Sequence, residues 1–186
     1  YSIKAPSRIR LNSAGHVFVP ENGDEKNLVI ELNKSGRFVR SIELEQSAPA
    51  ELGATGVAFG VSGELYFADR NNHRIQKFSS SGQFVKMIGT SGTADGQFDW
   101  ISDIDTDSVG NLYVLDHRNN RVQILNSDGQ FIGKFGSFGS GDGQFFAPES
   151  IDVHGDKIYV LSSTRVQVFN LSGQYLWKFG TSGTGP

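Results

Sequence analysis

Histidines and aspartates are the residues of this chain best suited to chemistry. Imidazole is the commonest metal ligand and a base near neutral pH, and the chain has no cysteine that could supply a thiolate. The four histidines are His16, His73, His117 and His154. Only His73 and His117 belong to similar loops, and they stand at different places in them. We therefore predict no metal site, no catalytic residue and no bound cofactor.

Two aspartates occupy equivalent positions in neighbouring, similar segments. Asp105 and Asp152 stand where an earlier segment has Arg10. If these side chains face one central channel, the two carboxylates could share a cation or pair with Arg10, because an unpaired buried charge is costly. A water-lined channel is the alternative, and it is the one that we favour from the sequence.

The elements that hold these residues come from an internal repeat. The tripeptide Gly-Gln-Phe begins at Gly96 and again about 47 residues later at Gly143, a period that indicates a propeller, a solenoid or another repeat array. Further marks recur in a constant order: an apolar run centred on Tyr66, Tyr113 or Tyr159, then Arg-hydrophobic-Gln from Arg74, Arg121 or Arg165, then a closing Gly89, Gly136 or Gly180.

Each repeat contains four runs of strand length. In the third repeat they are Ser102 to Thr106, Asn111 to Leu115, Arg121 to Leu125 and Phe131 to Phe135. Glycine-containing turns separate the first run from the second and the third from the fourth, as in β-hairpins. Four consecutive antiparallel strands form a propeller blade. We predict an all-β chain, 1–186, with four blades at about 6–44, 53–89, 97–136 and 144–180.

The loop between the second and third strands carries a family resemblance. The segment from Leu65 to Phe78, with Asp69-Arg70-Asn71-Asn72-His73-Arg74 at its centre, resembles the signature of the NHL-repeat family. The third repeat matches equally well, the fourth has Ser162 in place of the aspartate, and the first matches poorly. The resemblance implies an NHL-type β-propeller, commonly of six blades, whose loop face binds partners.

The end of the chain looks like the start of a further repeat. Residues 181–184 copy the start of the loop at Thr90, and the sequence stops at 186, where another Gly-Gln-Phe would be expected. We therefore expect the four blades to be part of a six-bladed or paired ring, with a closed four-bladed ring as the alternative. An open arc would expose two apolar blade faces, through which the chain could self-associate.

The loops that enter each blade and those that join its second and third strands are expected on one face. We predict a ligand-binding face there, consisting of Arg70, His73, Asp99, Trp100, His117, Arg118, Asn119, Phe146 and Glu149. Trp100 departs most from the repeat, because the fourth repeat has Ala147 at its position. A large aromatic side chain can anchor a partner or stack on a sugar. The alternative is that Trp100 caps the edge of its own blade.

The arginines that recur in the repeats suggest a structural role. Arg74, Arg121 and Arg165 carry planar donor groups that can tie loops together. Asp69 and Asp116 are expected to accept hydrogen bonds within the same loops. Recurrence in every well-matched repeat is what packing demands, so we interpret these residues as architectural.

Composition limits the function. The formal charge of −3 and the lack of a basic run argue against binding of nucleic acid, and no apolar run is long enough to insert into a membrane. We favour a soluble protein, extracellular or at the cell surface in preference to cytoplasmic. We predict a non-catalytic binding or scaffold module for a protein partner, with carbohydrate as another possible ligand. A lyase or lactonase-like propeller enzyme and an RNA-binding NHL domain are the alternatives.

Overall fold

The chain folds as a succession of blades. The computed structural model describes Pro6 and residues 8–22, 27–45 and 53–180. Within these residues there are four four-stranded antiparallel sheets, and in each of them every strand pairs with its neighbour in sequence. The part of the chain described here forms no closed ring, and the predicted loop at 181–186 lies outside it. No helix in these ranges has the length and apolar character needed to cross a membrane.

The strand limits define the blades. Blade 1 consists of β1 (Arg10–Leu11), β2 (Val17–Asn22), β3 (Asn27–Leu32) and β4 (Phe38–Glu43), and blade 2 of β5 (Ala54–Phe59), β6 (Leu65–Asp69), β7 (Arg74–Phe78) and β8 (Phe84–Ile88). The short parallel pair β9 (Thr90–Ser91) and β10 (Gln97–Phe98) shapes the loop that enters blade 3. Blade 3 consists of β11 (Ile101–Thr106), β12 (Leu112–Asp116), β13 (Arg121–Leu125) and β14 (Phe131–Phe135), and blade 4 of β15 (Pro148–His154), β16 (Lys157–Ser162), β17 (Arg165–Asn170) and β18 (Tyr175–Phe179). A 3₁₀ turn at Arg70–Asn72 joins β6 to β7.

Each blade lies within one of the expected spans, and the strands expected in blade 3 differ from the observed limits by at most one residue. The period-2 alternation of the strands gives every sheet two faces. Both faces are apolar where they meet a neighbouring blade, which explains why the hydrophobic cores lie between blades. The three cores contain residues of blades 1 and 2, of blades 2 and 3, and of blades 3 and 4.

The fourth strand of each of blades 1 to 3 packs against a hairpin turn of the next blade. The contacting pairs are Ile42 with Gly82, Ile88 with Gly129 and Phe135 with Gly173. All three glycines have positive φ, and a Cβ added to any of them would lie 3.1 Å or less from the neighbour's side chain. Glycine is therefore required both by the turn conformation and by the close approach of the blades.

A tyrosine hydroxyl also joins blade 2 to blade 3 and blade 3 to blade 4. Tyr66 in blade 2 donates to the carbonyl of Ser127 in blade 3 at 3.1 Å, and Tyr113 in blade 3 donates to the carbonyl of Leu171 in blade 4 at 3.1 Å. Each acceptor lies in the turn between the third and fourth strands of the following blade. The repeated tyrosine therefore serves the contact between blades, and burial raises the pKa of Tyr66 to about 12.

Blade 1 makes the equivalent bond with a different residue. Phe18 occupies the tyrosine position and has no hydroxyl. Arg40 donates instead to the carbonyl of Ser80 at 2.9 Å, and the buried Glu31 holds that guanidinium through a 2.5 Å bond from Nε. The first repeat matches the others poorly in sequence, yet its blade makes the same hydrogen bond to the next blade, with an arginine in place of the tyrosine.

Candidate functional site

A buried aspartate organises each well-matched loop. Asp116 is 0% exposed and accepts hydrogen bonds from the backbone N–H of Asp99 (2.7 Å) and from the side chains of Asn119 (2.9 Å), Arg121 (2.8 Å) and Gln123 (3.2 Å). These bonds satisfy the carboxylate away from water. Asn119, which the sequence placed on the binding face, is therefore engaged in holding the loop.

The repeated arginines tie loops together, as their recurrence indicated. Arg121 also donates to the carbonyls of Ala94 and Gln97, both at 2.9 Å. Arg165 reaches carbonyls of the loop that enters its own blade, and Arg74 donates to Asp69 at 2.9 Å. The three guanidinium groups thus bind backbone or carboxylate oxygens inside the fold.

Trp100 has a left-handed backbone conformation, which the equivalent residue of blade 4 shares. Its φ is 66°, and the equivalent Ala147 has a φ of 48°. The N–H of Trp100 donates to Nδ1 of His73 at 3.1 Å, and the N–H of Ala147 donates to the side-chain oxygen of Asn120 at 3.1 Å. His73 and Asn120 end equivalent loops. His73 therefore accepts through an unprotonated Nδ1 and positions the loop of the next blade.

The indole ring of Trp100 lies against two guanidinium groups. The Cζ atoms of Arg118 and Arg70 lie 4.3 Å and 4.6 Å from the ring centroid. Asp99 Oδ1 lies 3.5 Å from both Arg118 Nη1 and His73 Nδ1. Buried Arg70 Nε has no hydrogen-bond partner among the described residues, so stacking holds this side chain. We call these five residues the Trp100 cluster; it joins loops of blades 2 and 3.

A second patch on this face contains two exposed phenylalanines. Phe138 is 67% exposed and Phe146 is 58% exposed, with ring centroids 5.8 Å apart. Blade 3 has Ser91 and Asp99 at the equivalent loop positions. The sequence analysis named Phe146 but missed Phe138, although its departure from Ser91 was a usable signal. We call the two residues the aromatic pair.

A pocket of about 470 Å³ adjoins Phe146. It is lined by Gly139, Ser140, Phe146, Ser162, Ser163, Thr164, Arg165, Lys178 and Gly180. The shortened loop of blade 4 contributes Ser162, whose hydroxyl accepts from the N–H of Phe146 at 2.9 Å. That bond replaces the aspartate contact of blade 3 and fixes the position of the Phe146 backbone.

The remaining predicted face residues connect blades 3 and 4. The N–H of His117 donates to the carbonyl of Trp100 at 3.1 Å, and its Nδ1 lies 2.9 Å from the carbonyl of Pro148. Glu149 has an exposed side chain, and its carbonyl accepts from Arg8 at 2.5 Å. His117 therefore connects Trp100 to the start of blade 4, and Glu149 follows there, next to Arg8.

Arginines from the start of the chain engage the inner-strand aspartates. Arg10 Nη1 lies 3.2 Å from Asp152 and its Nη2 lies 3.5 Å from Asp105. Arg8 Nη1 lies 3.0 Å from Asp103. Our preference for a plain water-lined channel was wrong at this place, because the alternative pairing with Arg10 is what forms. The ion pairs connect the start of blade 1 with the first strands of blades 3 and 4.

The ionisation of these aspartates is shifted by their surroundings. Burial raises the pKa of Asp105 to about 6, although Arg10 and the N–H of Val153 oppose this. Burial also raises the pKa of Asp103, against the effect of Arg8 and Arg10. Asp103 Oδ2 accepts from Ser150 and Ile151 as well. The carboxylates of Asp103 and Asp105 therefore bind groups within the fold.

The first two histidines in the chain have different environments. His16 lies 2.6 Å through Nδ1 from Glu31 on the opposite side from the Trp100 cluster, beside a pocket of about 470 Å³. His73 contacts Trp100 and Asp99, as described above. Within the described ranges, no group of three or more histidine, aspartate or glutamate side chains is arranged to hold a metal ion.

Comparison with known families agrees with the blade geometry. A family model described as a 6-bladed beta-propeller matches residues 101–179, and the model of the NHL repeat matches residues 52–78. The four sheets are β-propeller blades, and the second of them matches the NHL repeat. No curated protein sequence matches this chain significantly.

Solved structures share the fold at low sequence identity. A streptogramin B lyase structure has a TM-score of 0.72 and 18% identity, covering 95% of this chain and 54% of that one. Virginiamycin B lyase from Staphylococcus aureus, a catalytically inactive variant with quinupristin, has a TM-score of 0.70 and 19% identity, with 96% and 56% coverage. A protein of unknown function from Bacteroides caccae has a TM-score of 0.74 and 12% identity, with 95% and 67% coverage. The chain thus spans about half the length of the two lyase structures.

Proposed function

We propose that this chain is a binding module that engages a protein partner through the loop face. The observation that carries the proposal is the aromatic pair, Phe138 and Phe146, which replaces polar residues of the preceding blade and remains mostly exposed. Large exposed aromatic groups are costly in water and are enriched in the central contacts of protein interfaces. Packing does not account for them, since the equivalent loop of blade 3 is built without them.

The neighbouring Trp100 cluster supplies the polar part of such an interface. It presents Arg118 with a side chain 55% exposed and Asp99 with one 36% exposed. Charges of both signs beside an apolar centre are typical of a protein interface, in which polar groups surround an aromatic anchor. Stacking and hydrogen bonds hold the cluster in place before binding, which lowers the entropic cost of association.

The other ligand classes fit less well. Sugar binding would use an indole face, and both Arg70 and Arg118 already lie over the Trp100 ring. RNA binding would need a positive surface, whereas Arg118 faces Asp99. A lyase-like reaction would need an accessible titratable group, and the inner-strand carboxylates are paired with Arg8 and Arg10.

Peptide selection tests the proposal without knowledge of the natural partner. A phage-displayed library of random peptides is selected on the full chain, and the dissociation constant of each selected peptide is measured for the Phe138→Ser, Phe146→Ser double variant. We expect binding to weaken at least about fivefold, the change that corresponds to removal of an interface residue that matters.

The control is a double variant on the opposite turns. Val61 and Val109 are 69% and 74% exposed in turns between first and second strands, so Val61→Ser with Val109→Ser removes similar exposed apolar area elsewhere. It should leave peptide binding unchanged. Failure to select any specific peptide, or selected peptides that bind both double variants equally, contradicts the proposal.

A further inference from the structure

The last strand of blade 4 exposes a side chain that is covered in every other blade. Phe179 holds the position of Ile42, Ile88 and Phe135, as the pairing of each with the third strand shows. Ile42 and Ile88 are 3% and 5% exposed beneath the hairpin turn of the following blade, whereas Phe179 is 50% exposed. Among the described residues no turn covers it.

Two neighbours extend this surface. Trp177 is 44% exposed and its ring centroid lies 5.5 Å from that of Phe179. Tyr159 holds the position of Tyr66 and Tyr113, whose hydroxyls donate to the turn of the next blade. We call Tyr159, Trp177 and Phe179 the blade 4 seam face.

Exposure alone does not distinguish this face, since outer strands carry other exposed apolar residues. Leu176 is 44% exposed, but its equivalents Val85 and Ile132 are 50% and 53% exposed as well. Exposure at that position is normal for a blade. Exposure at the position of Phe179 is not, because Ile42, Ile88 and Phe135 each contact the turn of the next blade. At the position of Trp177, Arg40 and Lys86 also reach the next blade, where they donate to backbone carbonyls.

The first blade has the complementary surface. Its hairpin turn ends at Gly36, with the same backbone hydrogen bonds as the turn that ends at Gly82. A Cβ added to Gly36 would meet no described atom within 4 Å, whereas at Gly82 it would lie 3.1 Å from Ile42. The turn of blade 1 is therefore open where the turns of blades 2 to 4 each receive a side chain of the preceding blade.

We propose that two copies of this chain associate head to tail, with the blade 4 seam face of one copy against the Gly36 turn of the other. Phe179 would pack against Gly36 as Ile42 packs against Gly82. The Tyr159 hydroxyl would donate to the carbonyl of Lys34, which stands where Ser80 and Ser127 stand in their turns. The glycine contact occurs at all three inner seams and the tyrosine bond at two of them, so both surfaces already have the required shape.

Head-to-tail contacts use two different surfaces, so they do not close after two copies unless the rotation happens to allow it. Sedimentation equilibrium of the full chain over a range of concentrations should therefore show an average mass that increases beyond the dimer. Phe179→Ser should weaken the association at least about tenfold, because a Phe side chain loses its burial.

The turn offers a second, independent variant. Gly36→Asn places a side chain in the open position, and asparagine tolerates the positive φ of 74° found there. It should weaken association to a similar extent. Gly155→Asn is the matched control, because Gly155 has a φ of 61° and also has open space around it. A monomer at all concentrations overturns the proposal. Loss of association with Phe179→Ser but not with Gly36→Asn also overturns it, because it indicates contact between two blade 4 faces.

Discussion

The N–H of Trp100 donates to Nδ1 of His73 across 3.1 Å, and this bond joins blade 3 to the loop of blade 2. Asn120 makes the same bond to Ala147 one blade later. A histidine and an asparagine therefore perform one structural task in successive repeats. Trp100 and Ala147 share this bond and the left-handed conformation, so neither requires the indole ring, to which we assign a part in the proposed binding face.

Replacement of His73 tests this equivalence. His73→Leu should lower the free energy of unfolding by about 1 to 3 kcal/mol, because it leaves the Trp100 N–H without an acceptor. His73→Asn should retain most of the stability, since Asn120 already serves in the equivalent position. Urea denaturation of the two variants gives the comparison, and equal losses would contradict the assigned role.

Trp100→Ala should leave the fold intact, because Ala147 adopts the same left-handed conformation in blade 4. It should weaken binding of selected peptides by more than about 1 kcal/mol, the usual threshold for an important interface residue. Val85→Thr on the outer strand of blade 2 is the control. A Trp100→Ala protein that unfolds would show that the ring caps a blade, and equal binding by both variants would place the interface elsewhere.

Arg121→Ala removes the cation beside fully buried Asp116. The carboxylate keeps its other donors, so we expect a loss of about 3 kcal/mol in the free energy of unfolding, at the low end for breaking a buried pair. Arg165 has Ser162 in place of an aspartate, so Arg165→Ala should cost less, about 1 kcal/mol. Lys134→Ala, which removes the exposed pair with Asp95, is the control, and its effect should stay below about 1 kcal/mol. Similar melting temperatures for all three variants would contradict this order.

The blades could be predicted from the sequence because every blade must meet the same packing demands. The repeated tyrosine, arginine, glutamine and glycine marks record those demands, so the strands of blade 3 were predicted to within one residue. Blade 1 was harder, because Arg40 and Phe18 together replace one tyrosine. A repeat pattern does not show that a residue at one position has taken over the hydrogen bond of a residue at another.

The loop face, on which we propose that a partner binds, was only partly predictable for a related reason. The predicted topology of the loops places Arg70, Trp100 and Arg118 in one region. The sequence did not predict that the guanidinium groups of both arginines stack on the Trp100 ring. His73 and Asn119 were named as face residues and are hydrogen bonded within the loops. Sequence position alone does not separate a side chain that faces a partner from one that satisfies the backbone.

Asp105 gives the protein a specific pH dependence. Burial raises its folded pKa from 3.8 to about 6, so the folded state binds the proton more tightly than the unfolded state. Its favourable contribution to stability is therefore full below pH 3.8 and is lost as the pH rises to about 6. The stability of the wild type relative to Asp105→Asn should fall across this window, by up to about 3 kcal/mol.

Unfolding in urea at pH values between 4 and 7 measures that difference. The exposed Asp156 provides the control, because Lys157 lowers the pKa of its carboxyl. The wild-type contribution of Asp156 is complete above pH 3.8 and is lost only below it, so the difference for Asp156→Asn should stay flat between pH 4 and 7. A flat or rising difference for Asp105→Asn contradicts the assigned burial.

Hydrogen–deuterium exchange of the chain with and without a selected peptide tests most directly whether the loop face is the binding surface. The account predicts slowed exchange in the loops that contain Trp100, Arg118 and the aromatic pair Phe138 and Phe146, with little change in the turns at Val61 and Val109. Protection confined to those opposite turns, with the loop face unchanged, would contradict it.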